Sequence, residues 1–387
     1  MRTIIKWLGR ILIALLLAAV VIGLWKREEI MRLMAVNSLF YEDRIISNFS
    51  NMNAAFLTVP VARGDTPVAP LAKGPQLTLP ADVVAWNADR IMTSMVVLKD
   101  GAVVHESYEQ GTGLDDRRIS WSIAKSYLSA LMGIVLNDGA IGSLDDRVTD
   151  YVPSLKGGAY DGVTIRQVMT MTSGVLFDED YLDYDSDIQR MGRVLALGGK
   201  MDDFAASLSE RFAEPGTDWQ YTSIDTHVLG MVIRAATGRS ITDLMSERII
   251  VPLGLEQEPY YLTDGTGVAF VLGGLNITTR DYARFAQMIA QGGQWQGQQI
   301  VPSDWILAST TPQAPTLAGE LKYGFQWWMP EDARPREYFG FGIYGQFLYI
   351  DETAGVVIIT TAADRKFREP GRTVEHIAML RRIVDAL

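Results

Sequence analysis

At residues 120–125 the chain reads SWSIAK, and these residues open an apolar-periodic stretch that continues to Leu136. If this stretch is a helix, side chains three residues apart lie on one face, so the Ser122 hydroxyl and the Lys125 amine are neighbours. A serine hydroxyl is a weak nucleophile until a base takes its proton, and a lysine with a lowered pKa can be that base. Backbone N–H groups at a helix start can also hold the charge of an attacked carbonyl. The stretch therefore predicts a nucleophile and its base at the start of a helix.

A match to S-x-x-K also arises by chance in a chain of 387 residues, and such a match is often a solvated helix face. Here the flanking residues Trp121, Ile123 and Tyr127 are apolar, which predicts a buried helix start. Two partner motifs follow further along the chain. We therefore interpret Ser122 and Lys125 as catalytic residues.

The second motif, Tyr221-Thr222-Ser223, follows a Pro215-Gly216 turn. In an extended chain Tyr221 and Ser223 point to the same side. A tyrosine near a lysine ammonium loses its proton more easily, and it could then accept the Ser122 proton or pass one to a leaving group. Ser223 would be a further donor in this network. The alternative is an amphipathic tyrosine that packs a loop.

The third motif is a glycine-rich run, FGFGIYGQ at residues 339–346, directly before a predicted strand at Phe347–Ile350. Glycines at a strand edge let the backbone approach a ligand and expose an N–H group. A second oxyanion donor requires such a group. The alternative is a tight turn or a bulge.

Composition restricts the class of protein. With 48% hydrophobic and 21% charged residues the chain is an ordinary globular protein, and its length suggests two or three structural units. The net charge of −11 and the lack of a basic stripe argue against a nucleic-acid partner. The chain has no cysteine, which removes disulfides, thiolate nucleophiles and cysteine-based zinc sites.

The N-terminus carries a membrane signal. Residues 11–25 contain no charge and are followed by Lys26 and Arg27, and no A-x-A cleavage site follows the run. We therefore favour an uncleaved membrane anchor at residues 1–30 over a removed signal peptide or a buried globular helix. Basic residues flank the run on both sides, so they do not decide the orientation.

The order of elements predicts an α/β fold. Strands are expected at both ends of the chain, and the segment between them is mainly helical. A hairpin at residues 94–108 turns at Asp100-Gly101, the strongest short-range hairpin signal. The other predicted elements are helices at 164–171, 188–197, 201–209 and 227–237, a helix capped by Thr278 and Asp281, strands at 345–350 and 355–361, and a last helix reaching Leu387.

The three motifs, in this order, resemble those of the serine β-lactamase and penicillin-recognising superfamily, in its class C and esterase-like branch. The chain is more closely similar to the 6-aminohexanoate-dimer hydrolases, and the resemblance covers roughly Asn51 to the C-terminus. Class A relatives carry S-D-N and K-T-G as second and third motifs. This chain has tyrosine in the second motif and lacks K-T-G, which weakens the case for recognition of a β-lactam carboxylate.

The resemblance implies a β-lactamase/penicillin-binding-protein-like fold, with an antiparallel sheet flanked by helices and an inserted, mainly helical domain. The hydrolase domain would span residues 83–387, with the insertion at about 122–256 and the active site between the two parts. Residues 31–82 would connect this domain to the N-terminal membrane helix.

The resemblance also implies roles for individual residues. Ser122 would be the acylated nucleophile, Lys125 its base, and Tyr221 the acid that protonates the leaving amine or alcohol. The N–H groups of Ser122 and Ile343, beside Gly342, would form the oxyanion hole, with Tyr344 as the alternative donor if the loop is shifted by one residue. Two further residues would contact substrate or donate to it: Ser223, and Tyr181 toward the substrate amide. We expect no metal and no cofactor.

Two other kinds of site are excluded. The histidines are His105, His227 and His376, and no G-x-S-x-G motif is present, so an α/β-hydrolase triad has no nucleophile motif. Residues 183–187 resemble the start of a calcium loop, but Ile188 occupies its glycine position and Val194 its final glutamate position. An acidic solvated loop is the better interpretation.

These observations predict a membrane-anchored serine hydrolase that acts on a small-molecule amide or ester. Other activities of the superfamily fit the same mechanism, namely those of an esterase, a D-amino peptidase or a β-lactamase. A non-catalytic envelope protein that binds peptidoglycan-like ligands is the alternative from a different class. The family mostly works outside the cytoplasm, so we expect a periplasmic or extracytoplasmic catalytic domain.

Overall fold

The structure is a computed structural model that describes residues 2–181 and 183–387. Within them lie strands β1 to β14, in order Leu57–Pro60, Ala72–Lys73, Met92–Lys99, Ala102–Tyr108, Arg118–Ile119, Tyr260–Thr263, Leu275–Ile277, Gln294–Trp295, Gln298–Gln299, Lys322–Tyr323, Trp328–Met329, Glu337–Gly342, Gln346–Asp351 and Val356–Ala362. The helices α1 to α15 are Arg2–Trp25, Arg27–Asn37, Ile45–Ser50, Ala81–Asp89, Ile123–Asn137, Val148–Tyr151, Ile165–Met169, Asp187–Ala196, Met201–Ala206, Ser223–Thr237, Ile241–Met245, Val251–Leu253, Thr279–Ala290, Ser303–Ser309 and Arg372–Val384.

The main sheet has eight strands in the order β10-β11-β12-β13-β14-β3-β4-β2. The predicted hairpin is confirmed as β3 and β4, and its turn residues Asp100 and Gly101 have φ of 51° and 79°. Strand β14 pairs with β3, so the two ends of the domain meet in one sheet. The predicted antiparallel sheet is confirmed, with one exception: β2 runs parallel to β4.

Helices cover both faces of this sheet. Successive strand residues point to opposite sides, and both sides of the central strands carry apolar side chains that the helices bury. In β3, Val96 and Leu98 face the larger core, which includes α5 and α13. Met95 and Val97 face a second core, in which the partners come from α4 and α15. The strands are buried on both faces, which explains their near-continuous apolar sequence.

The predicted helical block is confirmed, because every named element in residues 123–181 and 183–253 is a helix. A smaller sheet, in the order β1-β6-β7-β5, adjoins this block. Its strand β5 ends directly before the motif at Ser122, and the Ser120 N–H donates to the Leu275 carbonyl at 2.7 Å. The start of α5 is therefore fixed by a sheet edge.

Several predicted boundaries were wrong. Helix α10 begins at Ser223 instead of near His227, and α9 ends at Ala206. The last helix ends at Val384, and Leu387 beyond it is exposed. The glycine run at residues 339–342 is a strand, β12, because its aromatic side chains pack against neighbours on the sheet.

The N-terminal helix Ile4–Trp25 is long and apolar enough to cross a membrane, and its side chains do not pack against the rest of the protein. Hydrogen bonding continues through Lys26, whose N–H donates to the Ile22 carbonyl and whose own carbonyl accepts from Ile30. Helix α2 then contacts α8. The division of the chain near residues 30 and 82 stays a prediction.

Arg284 on α13 is fully buried and holds the connecting segment before the main sheet through its contact with Ala69. It donates to the Ala69 carbonyl, to the Asp281 carboxylate at 2.9 Å and to Glu256 at 2.7 Å. We expect Arg284→Met to lower the free energy of unfolding by about 3–5 kcal/mol, because Asp281 would keep a buried charge without its cation. Urea denaturation of the full chain in detergent measures this.

The matched control is Arg239→Met, since Arg239 forms an ion pair with Glu247 at the surface. Water solvates both of those charges, so this variant should leave the urea midpoint unchanged. Equal midpoints for the Arg284 and Arg239 variants would contradict a structural role for the buried pair.

Candidate active site

Ser122 caps the start of α5, and Lys125 lies one turn further along the same helix face. The Lys125 Nζ donates to the Ser122 Oγ at 3.0 Å and to the Leu272 carbonyl at 2.8 Å. Lys125 is buried, and burial lowers the pKa of its amine to about 7, although the Glu179 carboxylate opposes this. A substantial neutral fraction of the amine is therefore available near neutral pH to accept the serine proton.

The residue before the serine, Trp121, has a left-handed backbone, with φ of 44°. Such a conformation costs on the order of 1–3 kcal/mol for a residue with a side chain. The Trp121 ring packs against Phe49 at 5.5 Å and Phe40 at 5.9 Å between ring centroids. These contacts hold the turn that places Ser122 at the helix start.

The end of β12 touches the backbone at Ser122. A Cβ added to Gly342 would lie 2.7 Å from the Ser120 carbonyl oxygen and 3.0 Å from the Ser122 nitrogen, so only glycine fits there. Gln346 donates to the Ile343 carbonyl at 3.2 Å and to the Ala362 carbonyl at 2.8 Å, which fixes the loop after Gly342. Within the described residues no acceptor takes the N–H of Ser122 or of Ile343, and both residues line one cavity.

Tyr221 lies beside this pair, in the loop that leads into α10. The Lys125 Nζ is 5.1 Å from the centroid of the Tyr221 ring, and Trp328 packs on that ring at 5.3 Å. The prediction that lysine would ease the loss of the phenol proton was wrong. Burial, and next the Glu179 carboxylate, raise the Tyr221 pKa well above its usual value. Tyr221 is a neutral phenol, suited to donate a proton.

Ser223 was expected in an extended stretch, on the same side as Tyr221, but it is the first residue of α10. Its N–H, one of the free donors of a helix start, donates to the Glu179 carboxylate. Its hydroxyl is buried and interacts with the Glu179 carboxylate and with the hydroxyls of Tyr181 and Tyr221. Ser223 also lines the cavity, so its hydroxyl joins this polar cluster to the cavity wall.

Tyr181 lines the same cavity as Ser122. Its hydroxyl donates to Glu179 at 2.9 Å, and Gln189 donates to its carbonyl at 2.5 Å. Burial raises the pKa of Tyr181 well above the usual value, and the Glu179 carboxylate adds to the rise. Of the predicted site residues, Ser122, Tyr181, Ser223 and Ile343 line this cavity. Lys125, Tyr221 and Gly342 do not line it, but Lys125 contacts Ser122 and lies against the Tyr221 ring, and Gly342 adjoins the Ser122 backbone. Tyr181 is held by the Glu179 carboxylate, whose charge also acts on Lys125.

Two features of the site were missed from the sequence. The first is Glu179, which accepts hydrogen bonds from Tyr181 and Ser223; burial raises the pKa of its carboxyl, although the charge of Lys125 opposes the rise. The sequence could have indicated this residue, because Glu179 and Tyr181 are two positions apart and so point to the same side of an extended chain.

The second feature is the N-terminal segment: Phe40 stacks on Tyr344 at 5.0 Å, and both line the cavity. No sequence pattern indicates that contact.

A family model described as Beta-lactamase matches residues 85–379, which is most of the chain. The match contains Ser122, Lys125, Tyr221 and the glycine-rich run. The chain belongs to the β-lactamase family. The family resemblance inferred from the three motifs is thereby confirmed.

One relative with a similar sequence and two solved structures with a similar fold are described as hydrolases. The 6-aminohexanoate-dimer hydrolase of Paenarthrobacter ureafaciens is 30% identical over 328 residues, which cover 80% of this chain and 83% of that protein. A solved structure described as a candidate 6-aminohexanoate-dimer hydrolase from Bacillus anthracis has a TM-score of 0.79 at 24% identity, covering 89% of this chain and 95% of its own. A D-stereospecific amidohydrolase from a Streptomyces species has a TM-score of 0.60 at 20% identity, covering 76% of this chain and 98% of its own. The two structures share the fold.

In the described part of this β-lactamase-family chain, no group of three or more His, Asp or Glu residues could hold a metal ion. The three histidines have other contacts. His105 lies near the Ser107 hydroxyl, His227 near Asp202, and His376 stacks on Phe347 at 3.7 Å between ring centroids.

The lowered pKa of Lys125 predicts the pH dependence of the reaction. The base must be neutral to accept a proton, so kcat/KM should fall as pH drops below about 7 and level off above it. Initial rates with p-nitrophenyl acetate between about pH 5 and pH 9 measure this. A profile that is flat through pH 7 would contradict a lysine base with this pKa.

The Glu179→Gln variant tests whether the protonation of Lys125 causes this fall of kcat/KM at low pH. The Glu179 carboxylate raises the Lys125 pKa, so its removal should move the fall to lower pH. If Glu179 has only a structural role, the variant should have a lower rate but the fall should occur at the same pH.

Proposed function

We propose that the protein is a serine hydrolase that cleaves an amide or ester bond through an acyl-enzyme on Ser122, similar to a 6-aminohexanoate-dimer hydrolase. The observation that carries this proposal is the 3.0 Å contact between the Ser122 hydroxyl and a buried Lys125 whose pKa is about 7. A buried lysine without a carboxylate in direct contact is costly for stability alone. The arrangement is better explained by activation of the serine.

The reaction follows from the positions of the side chains. The Ser122 Oγ attacks the carbonyl carbon while its proton passes to the Lys125 Nζ, and the N–H groups of Ser122 and Ile343 stabilise the oxyanion. The bond to the leaving amine or alcohol then breaks, and the leaving group takes a proton from Tyr221, which lysine restores. Water attacks the acyl-serine in a second step, which releases the carboxylic acid and returns the proton to the serine.

The third motif supports amides and esters over β-lactams. In this chain the position between Gly340 and Gly342 is Phe341, whose ring packs on Phe347 at 5.3 Å and Trp328 at 5.2 Å. No cation is present in the run at residues 339–346 to recognise a carboxylate. The relative that is 30% identical is a 6-aminohexanoate-dimer hydrolase, and this similarity favours an amide as the substrate of this chain.

We also propose that α1 anchors the enzyme in a membrane, with the catalytic domain outside the cytoplasm. The length and apolar composition of the helix support an anchor. The orientation rests on the family resemblance alone, since basic residues lie at both ends of the helix.

The test uses the full chain in detergent with three substrates: p-nitrophenyl acetate, the 6-aminohexanoate dimer and a chromogenic cephalosporin. The proposal predicts turnover of the ester and the dimer, and cephalosporin turnover slower by at least about 10²-fold. A folded protein that turns over none of the three would contradict a hydrolase. Efficient cephalosporin turnover would replace the amide hydrolase with a β-lactamase.

A further inference from the structure

The cavity next to Ser122 has a volume of about 270 Å³ and mainly apolar walls. Its apolar lining includes Leu39, Phe40, Phe56, Ile188, Met191 and Leu195. Five of these side chains also belong to the buried core, and Phe40 packs against it. A cavity of this size is near the lower limit for small-molecule sites, which begin at about 300 Å³. It favours a hydrocarbon group of moderate length over a charged or polymeric one.

The lining of the cavity carries little charge. Arg193 is the one basic residue of the lining, and its guanidinium lies 4.1 Å from the centroid of the Tyr184 ring. The lining contains no carboxylate. The lining also includes Tyr181 and Ser223, whose hydroxyls suit a neutral ester or amide.

One wall of the cavity is built by the segment that leaves the apolar N-terminal helix. Val36 and Asn37, at the end of α2, line the cavity together with Leu39 and Phe40. Helix α2 is 11 residues long, so it spans about 17 Å at 1.5 Å per residue. Hydrogen bonding continues from α1 into α2 through Lys26. The cavity therefore lies a short, helical distance from the end of the apolar helix.

The outer face of α2 is apolar as well. Ile30, Met31 and Met34 are 43%, 55% and 66% exposed, while Ala35 and Val36 pack against the core. An apolar helix face directly after a spanning helix, beside Lys26 and Arg27, is typical of a helix that lies at a membrane surface. The exposed lining residues Asn37 and Tyr184 mark the rim of the cavity next to this helix.

We propose that the substrate is an ester or amide with an apolar acyl chain of medium length, of the kind that partitions into a membrane surface. The acyl chain occupies the cavity between residues 36–40 and α8, and its carbonyl lies at Ser122. This proposal rests on the proposed function and names the substrate class of the same site. The bonds formed and broken are those of the acyl transfer described above.

The test compares p-nitrophenyl acetate with p-nitrophenyl decanoate, both given to the full chain in phosphatidylcholine vesicles. We expect kcat/KM for the decanoate to exceed that for the acetate by at least about tenfold, because the longer chain buries more apolar surface. A ratio at or below one, with the acetate still hydrolysed, would overturn the inference and leave the hydrolase intact. Failure to hydrolyse either ester would overturn both proposals.

Two variants assign the preference to the cavity. Met191→Gln keeps the length of a buried lining side chain but makes it polar, and it should lower the decanoate-to-acetate ratio at least about fivefold. Leu307→Gln makes the same kind of change at an exposed position on α14, outside the cavity, and it should leave the ratio unchanged. An unchanged ratio in Met191→Gln would show that the chain binds elsewhere, against the proposal.

Discussion

Replacing Ser122 with alanine is expected to lower kcat for ester hydrolysis by at least about 10⁴-fold, since the loss of a nucleophile leaves only binding and oxyanion stabilisation. The substituted atom is the one that Lys125 contacts at 3.0 Å. Alanine is a good helix former and Ser122 is only a cap without a side-chain hydrogen bond to the backbone, so the fold should persist. Steady-state rates with p-nitrophenyl acetate measure the effect.

The matched control for this variant is Ser129→Ala, which removes a hydroxyl from the same helix. The Ser129 hydroxyl donates to the Phe325 carbonyl at 2.7 Å, away from the cavity. Its loss should cost on the order of 1 kcal/mol of stability and change kcat by less than about threefold. Comparable rates for the Ser122 and Ser129 variants would mean that another residue is the nucleophile.

Removing the amine of Lys125 should have the second largest effect. We expect Lys125→Met to lower kcat by about 10²–10⁴-fold, because general-base catalysis contributes rate factors of this order. Methionine has a similar length and suits the buried position, so the helix start should remain packed. Lys125→Arg separates base from charge, since a guanidinium keeps the charge but holds its proton at all relevant pH values.

If the amine acts as a base, the Lys125→Met and Lys125→Arg variants should therefore both show this loss of kcat. Activity in Lys125→Arg but not in Lys125→Met would assign Lys125 an electrostatic role. Lys156→Met, at an exposed position in the helical block, is the control and should retain full activity. Circular dichroism of each variant shows whether the fold persists.

Much of the fold could be predicted because the decisive signals are local. The Asp100-Gly101 turn requires positive φ at both residues, and the flanking apolar runs then form a hairpin. Thr278 caps α13 by accepting the Asp281 N–H, as its spacing indicates. The S-x-x-K motif likewise needs only one helical turn to bring serine and lysine together.

Features that depend on distant contacts could not be predicted in this way. The short strands β5, β10 and β11 are two residues each, too short to show a period. The contact of Phe40 with Tyr344 joins residues some three hundred positions apart, and nothing local indicates it. The N-terminal segment therefore looked like a connection, although it lines the cavity.

Electrostatic properties were the hardest part of the site to predict. The sequence places a tyrosine near a lysine, which suggests a lowered phenol pKa. In the structure the surroundings of Tyr221 include Trp328 and the Glu179 carboxylate, and burial raises its pKa instead. The position of Ser223 at the start of α10 follows from the same cluster, because Glu179 accepts its N–H.

The most direct test of the central claim is the intact mass of the full chain after a short reaction with p-nitrophenyl acetate, quenched with acid. We predict that the wild type gains one acyl group, that peptide mapping places it on Ser122, and that Ser122→Ala gains none. Acylation of Ser122→Ala, or an acyl group on another residue of the wild type, would contradict an acyl-enzyme on Ser122.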